Sequence, residues 1–334
     1  MEKRFKNGLI VMKGYPVHKG HLYLIDTAAE NCDVLNVILS HNERQTIPGE
    51  VRYNWLKEIY QYNDNINIFH FDDGDMPQYD YECETLDEFY SYWVPKIYSI
   101  VSDLDVVFSS ENYGDDFARY LGVEHFLVDK ERIKIPISGT SIRDNVFANY
   151  EYLPDEVKPY FNKRIVLMGP ESVGKSTLTK DLATHFKTNY VEEYGRFVYE
   201  MNGNCITKDD FIPISEGRQD IEDYEITMSN KYLFCDTEDI TTYLFLKMFC
   251  TDYEVEEKWF LNTLENKPNY DLYILLTPDC PGVQDGTRSF LDERESHYNV
   301  IKSELINRNC NFIEVSGGWK ERFDKVVNHI ENAF

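Results

Sequence analysis

A run long enough to cross a membrane is missing from this chain. A spanning helix needs roughly 20 consecutive apolar residues, and no stretch of the 334 residues approaches that. Lys3, Arg4 and Lys6 precede an apolar run, but it extends only from Leu9 to Met12, too short for a signal peptide. Cysteine is sparse and scattered. The seven (Cys32, Cys83, Cys205, Cys235, Cys250, Cys280 and Cys310) are odd in number and contain no C-x-x-C pair. Neither a disulfide framework nor a structural zinc site is expected, and a reducing, cytoplasmic setting is. Positive charge is short as well: 34 Lys and Arg stand against 59 Asp and Glu, a formal net charge of −25 spread along the chain. Neutralising a nucleic-acid backbone needs clustered cations. Neither a nucleic-acid nor a membrane partner is expected. A nucleotide, which needs only a local positive site, is not excluded.

What is present is enough for two cores. The length suits two domains, and 42% hydrophobic with 28% charged residues fits a globular enzyme. Strands and helices alternate. Gly8 to Met12, Val34 to Ser40, Ile66 to Phe71, Val106 to Ser109 and Glu124 to Val128 read as strands, and the segments between them as helices. Ile66 to Phe71 is apolar at both alternations and predicts a strand buried on both faces. Asp72-Asp73-Gly74-Asp75 reads as a solvated turn. Glu151 to Asn162, with Pro154 and Pro159, reads as a connector to a second series of strands beginning at Arg164. The expected fold is α/β with two doubly wound parallel sheets, in domains 1–155 and 160–334.

In the first half, Lys13-Gly14-Tyr15-Pro16-Val17-His18-Lys19-Gly20-His21 lies at a strand-to-helix turn. Free N–H groups at a helix start attract anions. Gly20 permits close approach, and His18, His21 and Lys13 can reach the same point. The pattern suits a triphosphate attacked at its α-phosphorus; a turn with two surface histidines is the alternative. Ile137-Ser138-Gly139-Thr140-Ser141-Ile142-Arg143 opens another helix. Its hydroxyls and N–H groups can hold phosphate oxygens, and Arg143 can neutralise a leaving pyrophosphate; otherwise it is a capped helix with an exposed arginine.

In the second half, Gly169-Pro170-Glu171-Ser172-Val173-Gly174-Lys175-Ser176-Thr177 satisfies G-x-x-x-x-G-K-[ST] between a strand and a helix. The backbone N–H groups of the loop wrap phosphates, Lys175 bridges the β- and γ-phosphates, and Ser176 offers a hydroxyl to Mg²⁺. Asp236, closing the strand Lys231 to Cys235, can hold the same Mg²⁺, or cap the helix that follows. Glu193 and Arg196, after the strand ending near Val191, are placed to face a phosphoryl acceptor, Glu193 taking its proton; a solvated loop is the alternative. Pro278 to Glu295 is irregular and carries Arg288 and Arg294, which suit a lid over the phosphates.

The pair His18-Lys19-Gly20-His21 and Ile137 to Arg143 resembles the signature of the nucleotidyltransferase superfamily. With Phe108-Ser109-Ser110-Glu111, Val128 to Arg132, the P-loop, Glu193-Tyr194-Gly195-Arg196, Phe234-Cys235-Asp236-Thr237 and Asp285-Gly286-Thr287-Arg288, the order over nearly the whole chain is similar to the NadR-type family. These are bifunctional nicotinamide-nucleotide adenylyltransferases and ribosylnicotinamide kinases. The resemblance implies an N-terminal nucleotidyltransferase-type domain and a C-terminal P-loop kinase domain. It implies ATP as co-substrate, Mg²⁺, and nicotinamide riboside, nicotinamide mononucleotide and NAD as ligands. His18 and His21 would then stabilise the ATP phosphates, Ser141 and Arg143 contact the triphosphate tail, and Ser110 and Glu111 lie near the adenosine. Trp259 and Tyr298 are candidates for stacking on the pyridine ring. Met12-Lys13-Gly14-Tyr15 departs from the family pattern, which has a Gly and an aromatic residue ahead of the proline turn. Some members begin with a helix-turn-helix; here the first strand starts at about residue 8, so a repressor role is not expected. A homo-oligomer stays open. So do two rival functions: a transferase and kinase for another phosphorylated small molecule, and a nucleotide sensor without turnover.

Overall fold

The computed structural model describes residues 3–77, 83–267, 270–281 and 291–334. The chain forms two compact units, Met1–Lys158 and Pro159–Phe334. In the first, strands β1 (Phe5–Met12), β2 (Cys32–His41), β3 (Ile66–Asp72), β4 (Val106–Ser109) and β5 (Glu124–Leu127) alternate with helices α1 (Lys19–Asn31), α2 (Gly49–Ile59), α3 (Leu86–Ile100), α4 (Gly114–Leu121) and α5 (Gly139–Asp144). The sheet order is β3-β2-β1-β4-β5 and every pairing is parallel. β1 lies in the middle with Leu9 and Ile10 fully buried. The order reverses beside it, which opens a crevice at the strands' carboxyl ends.

Helix α3 shows how the sequence covers this sheet. Thr85 Oγ1 accepts the Glu88 N–H at 3.2 Å and caps the helix. Tyr90, Trp93 and Ile97 then recur at helical spacing as its buried stripe. They join Leu9, Ile38 and Val107 of the sheet in one core cluster, and each fully buried side chain of this kind contributes about 1.5–3 kcal/mol. The expectation for β3 is corrected: it is an edge strand, and only Ile66 and Phe71 of it are buried. Alternating apolar residues cannot distinguish an edge from a centre, because pairing on one side leaves the pattern unchanged. The turn after it is corrected too. Asp72 and Asp75 are exposed, but Asp73 is 1% exposed.

The second unit carries β6 (Lys163–Met168), β7 (Tyr190–Val191), β8 (Tyr232–Asp236), β9 (Leu272–Leu276) and β10 (Phe312–Val315), in the order β10-β9-β6-β8-β7, again all parallel. Its helices are α6 (Lys175–Phe186), α7 (Tyr194–Met201), α8 (Phe211–Thr227), α9 (Asp239–Phe249), α10 (Glu254–Asn266), α11 (Arg294–Asn307) and α12 (Trp319–Ala333). Leu167 of β6 pairs with Asp236 of β8, so the phosphate loop and that carboxylate leave the sheet side by side. No helix of the described residues is long and apolar enough to cross a membrane.

Two candidate nucleotide sites

In the first unit the carboxyl ends of β1, β2 and β4 and the start of α5 surround a cavity of about 960 Å³. Lys13, His18, Gly20, His21, Ser110, Glu111, Ser138, Thr140 and Arg143 all line it, so two segments more than a hundred residues apart face one space. Ser141 does not line it; its hydroxyl lies 2.8 Å from Ser138 Oγ at the helix cap. Gly139 makes the approach possible. A Cβ there would stand 2.5 Å from the Tyr15 carbonyl oxygen, closer than any side chain tolerates.

His18 and His21 begin α1 by capping each other. Each ring's Nδ1 accepts the other residue's backbone N–H, at 3.3 Å in both directions, and the rings stack at 3.7 Å. With both Nδ1 atoms accepting, the proton of each neutral ring is on Nε2. Burial, then the Arg132 charge, holds His18 down to about 4. His21 lies well below its ordinary value through burial and then the His18 charge. The pair is therefore neutral at pH 7 and offers two Nε2–H donors to an anion.

That arrangement sets a pH dependence. The unfolded His18 titrates at 6.5 and the folded one at about 4. The unfolded chain binds the extra proton between those values, so stability is full above 6.5 and is lost as pH falls through the window. The loss for this group is about 3 kcal/mol. Amide exchange in β1 followed from neutral pH into the window reads the first unit alone. With the intrinsic pH dependence of exchange divided out, protection factors that fall on acidification, the fall flattened in His18→Asn, are expected; unchanged or rising protection contradicts it.

Tyr15 and its neighbours hold the phosphate-facing turn. The Arg143 guanidinium donates to the Tyr15 carbonyl and to Thr140 Oγ1, the latter at 3.1 Å, and sits 4.4 Å from the Tyr15 ring centre. Tyr15 OH lies 2.7 Å from Thr46 Oγ1. That hydrogen bond, more than the nearby guanidinium charges, lowers the phenol's pKa. Fully buried Arg52 donates to the Lys13 carbonyl and to Gln45 Oε1, both at 2.6 Å. Glu111 pairs with Arg132 at 2.9 Å. Sequence reasoning missed Arg52 because its partners are a distant backbone carbonyl and a neutral side-chain amide, which leave no motif.

In the second unit, the phosphate loop takes left-handed backbone angles at Gly169, Ser172 and Gly174, turning successive N–H groups into one concavity. Lys175 Nζ donates to the carbonyls of Gly169 and Pro170, at 3.0 Å each. Arg322 of α12, only 2% exposed, ties the loop from behind through Val173 O at 2.9 Å and Thr277 O at 3.0 Å; it too was invisible in the sequence.

Ser176, Glu193, Arg196 and Asp236 line a second cavity, of about 500 Å³. Asp236 is 2% exposed, and its Oδ1 has no partner among the described residues. Burial, and next the Glu193 charge, pushes its carboxyl up to about 6 against the pull of Lys175 and a hydrogen bond with Ser176. It does not cap α9; Glu238 does, accepting the N–H groups of Ile240 and Thr241. No cluster of three His, Cys, Asp or Glu among the described residues could hold a metal. A hydroxyl and one under-satisfied carboxylate beside a phosphate loop fit Mg²⁺, which keeps water and phosphate ligands.

The two stacking candidates of the sequence lie away from the lining of this cavity. Tyr298 is buried in the core of the unit, its hydroxyl donating to Glu314. Trp259 packs edge-on against Phe260 at 5.0 Å. Neither lines the cavity; Tyr194 and Phe197 do, with rings stacked at 5.7 Å and Phe197 54% exposed. Arg294 is nearly buried and donates to the Cys280 carbonyl at 2.8 Å. Arg288 lies outside the described residues.

A chain that joins an α/β unit with a histidine-lined phosphate crevice to a P-loop α/β unit belongs among the two-domain nucleotide-dependent transferases. The "Citrate lyase ligase C-terminal domain" matches residues 7–138 and an "AAA domain" matches residues 164–322. The "Trifunctional NAD biosynthesis/regulator protein NadR" of Escherichia coli (strain K12) is 32% identical, over 92% of this chain and 78% of its own length. The chain thus belongs to the NadR family. Crystal structures of a NadR protein share the fold at 19% sequence identity. The complex with NR has a TM-score of 0.82 and that with NAD and AMP-PNP one of 0.80, each covering 99% of this chain and 97% of the other.

Proposed function

We propose that the chain is an enzyme of NAD salvage with two active sites. The unit around the P-loop phosphorylates nicotinamide riboside with ATP, and the unit around His18 and His21 joins the mononucleotide to AMP from a second ATP, giving NAD and pyrophosphate. The observation that carries this is the presence of both constellations in one chain of the NadR family.

In the kinase site, the riboside hydroxyl attacks the γ-phosphorus while Glu193 accepts its proton and ADP leaves. Lys175 releases its two carbonyls for the β- and γ-phosphates. Ser176 and Asp236 hold Mg²⁺, which neutralises charge on the phosphates when bound. Tyr194 and Phe197 offer the pyridine ring an aromatic face. In the adenylyltransferase site, the phosphate of nicotinamide mononucleotide attacks the α-phosphorus, and the bond to the β-phosphate oxygen breaks. His18 and His21 donate Nε2–H to the phosphate oxygens as charge develops. Arg143 leaves Tyr15 for the pyrophosphate, with Lys13, Ser138 and Thr140 around the tail. Placement in the cytoplasm, and assembly into oligomers, belong to this reading as well.

Product chromatography tests it. With ATP and Mg²⁺, NAD is expected from both the riboside and the mononucleotide. Phe197→Ala should raise the riboside KM about tenfold with kcat nearly kept, the size of one lost aromatic stack. NAD from neither substrate would sink the proposal.

A further inference from the structure

Arg294 opens α11 and is only 9% exposed, yet its Nε–H has no partner among the described residues. A buried donor left unpaired asks for an explanation. The rest of the guanidinium is engaged with one residue. Nη1 donates to the Cys280 carbonyl, and Nη2 lies 3.5 Å from Cys280 Sγ. The group is planar, and Nε–H and one Nη2–H point from the same edge. The vacant donor is therefore on the edge that faces the sulfur. The thiol fills only part of that edge; an oxygen carried on the sulfur would fill the rest.

Cys280 is also tied to the phosphate loop. Its S–H donates to the Ser172 carbonyl at 3.6 Å. The residues just before it are bound to the same loop through Arg322, which takes the Thr277 and Val173 carbonyls and pairs with Asp279. A change at the sulfur is thus felt at the loop. The sulfur is half-buried, open to a small oxidant, and a partly exposed, electropositive setting is where cysteines react. Neither Cys280 nor Arg294 lines the second cavity. The pair stands beside the substrate site and not in it.

We propose that Cys280 is a site of reversible oxidation by hydrogen peroxide, its sulfenic acid held by Arg294, and that this modification slows the kinase unit. The effect on rate rests on the kinase reading above; the modification itself does not. The sulfur attacks one peroxide oxygen, and an S–O bond forms as the O–O bond breaks. The thiol proton leaves with the second oxygen as water. Sulfur gives up two electrons and the peroxide takes them. As sulfenate, the new oxygen accepts from Nε–H and Nη2–H together, a charge-assisted pair. The bond to the Ser172 carbonyl is lost, and a negative charge stands beside a loop whose N–H groups suit phosphate. A dithiol reductant returns the thiol through a mixed disulfide, releasing water and the oxidised dithiol.

The test treats the full chain with hydrogen peroxide, traps sulfenic acid with dimedone and maps the adduct by peptide mass spectrometry. Both activities are assayed before and after. The adduct is expected on Cys280. Riboside phosphorylation should fall about tenfold or more through the KM of ATP, the scale of one like charge a few ångströms from the phosphates. Adenylyl transfer should stay within about twofold, and dithiothreitol should restore the kinase. Cys280→Ser keeps a hydroxyl for the Ser172 carbonyl; its riboside kinetics should be unchanged and indifferent to peroxide. Arg294→Lys keeps the charge without the edge, and the adduct should drop at least about threefold. An adduct on the exposed Cys205 with none on Cys280, or peroxide inactivation that persists in Cys280→Ser, overturns the assignment. Untreated protein that does not phosphorylate the riboside overturns the kinase reading instead, and the Cys280 adduct still decides the site.

Discussion

Lys175→Ala should reduce phosphorylation of nicotinamide riboside by about 10²–10³-fold, the usual cost of one preorganised charged donor at a transferring group, and leave adenylyl transfer within about twofold. The ammonium lies 3.0 Å from two carbonyls of the loop that it opens. It is thus poised over the concavity, and alanine removes its charge without touching the backbone that makes the nest. Adenylyl transfer should survive because each unit has its own five-stranded sheet and its own core clusters. Coupled assays of ADP from the riboside and pyrophosphate from the mononucleotide separate the activities. Loss of both in a variant that retains its unfolding transition would contradict two independent sites.

The complementary result is expected from His18→Asn. Asparagine is a good N-cap and can still accept the His21 N–H, so the start of α1 should be kept and stability change by less than about 1 kcal/mol. What is lost is an Nε2–H donor in a water-poor site. Pyrophosphate release should fall about 10²-fold or more, with the kinase unaffected. Alanine at the same position would mix two effects, because it removes the cap together with the donor. Pyrophosphate release near the unchanged rate in His18→Asn would remove the histidine pair from the chemistry and leave it as a capping box alone.

Contiguity explains how much of this could be read in advance. The P-loop is legible because its glycines, lysine and hydroxyl act through one short run of backbone, and strand and helix flank it. His18 and His21 are legible for the same reason, being a single turn of helix apart. Helix α8 went unread because its buried face includes Ser215, Arg218 and Glu222, and polar residues break the apolar periodicity that signals a helix. Arg218 is nonetheless buried, paired with Glu222 and Asp239, a satisfaction visible only once α8 and α9 are packed. The places of Trp259 and Tyr298 are illegible for the opposite reason. An aromatic residue looks the same in the sequence whether it fills a core or faces a ligand, and here both pack into the unit while Phe197 is left exposed.

By itself, then, the sequence determined the two parallel α/β folds, the phosphate loop, the histidine turn and the family, because each of these is written in local runs whose spacing carries its own physics. Tertiary structure decided the rest. It set Gly139 against Tyr15 and Arg143 on the Tyr15 ring, tied the turns with Arg52 and Arg322, and made β3 an edge. It also buried one aspartate of an acidic turn. Those outcomes depend on which distant groups share a low-dielectric space, and burial and partnering over such separations have no local signature.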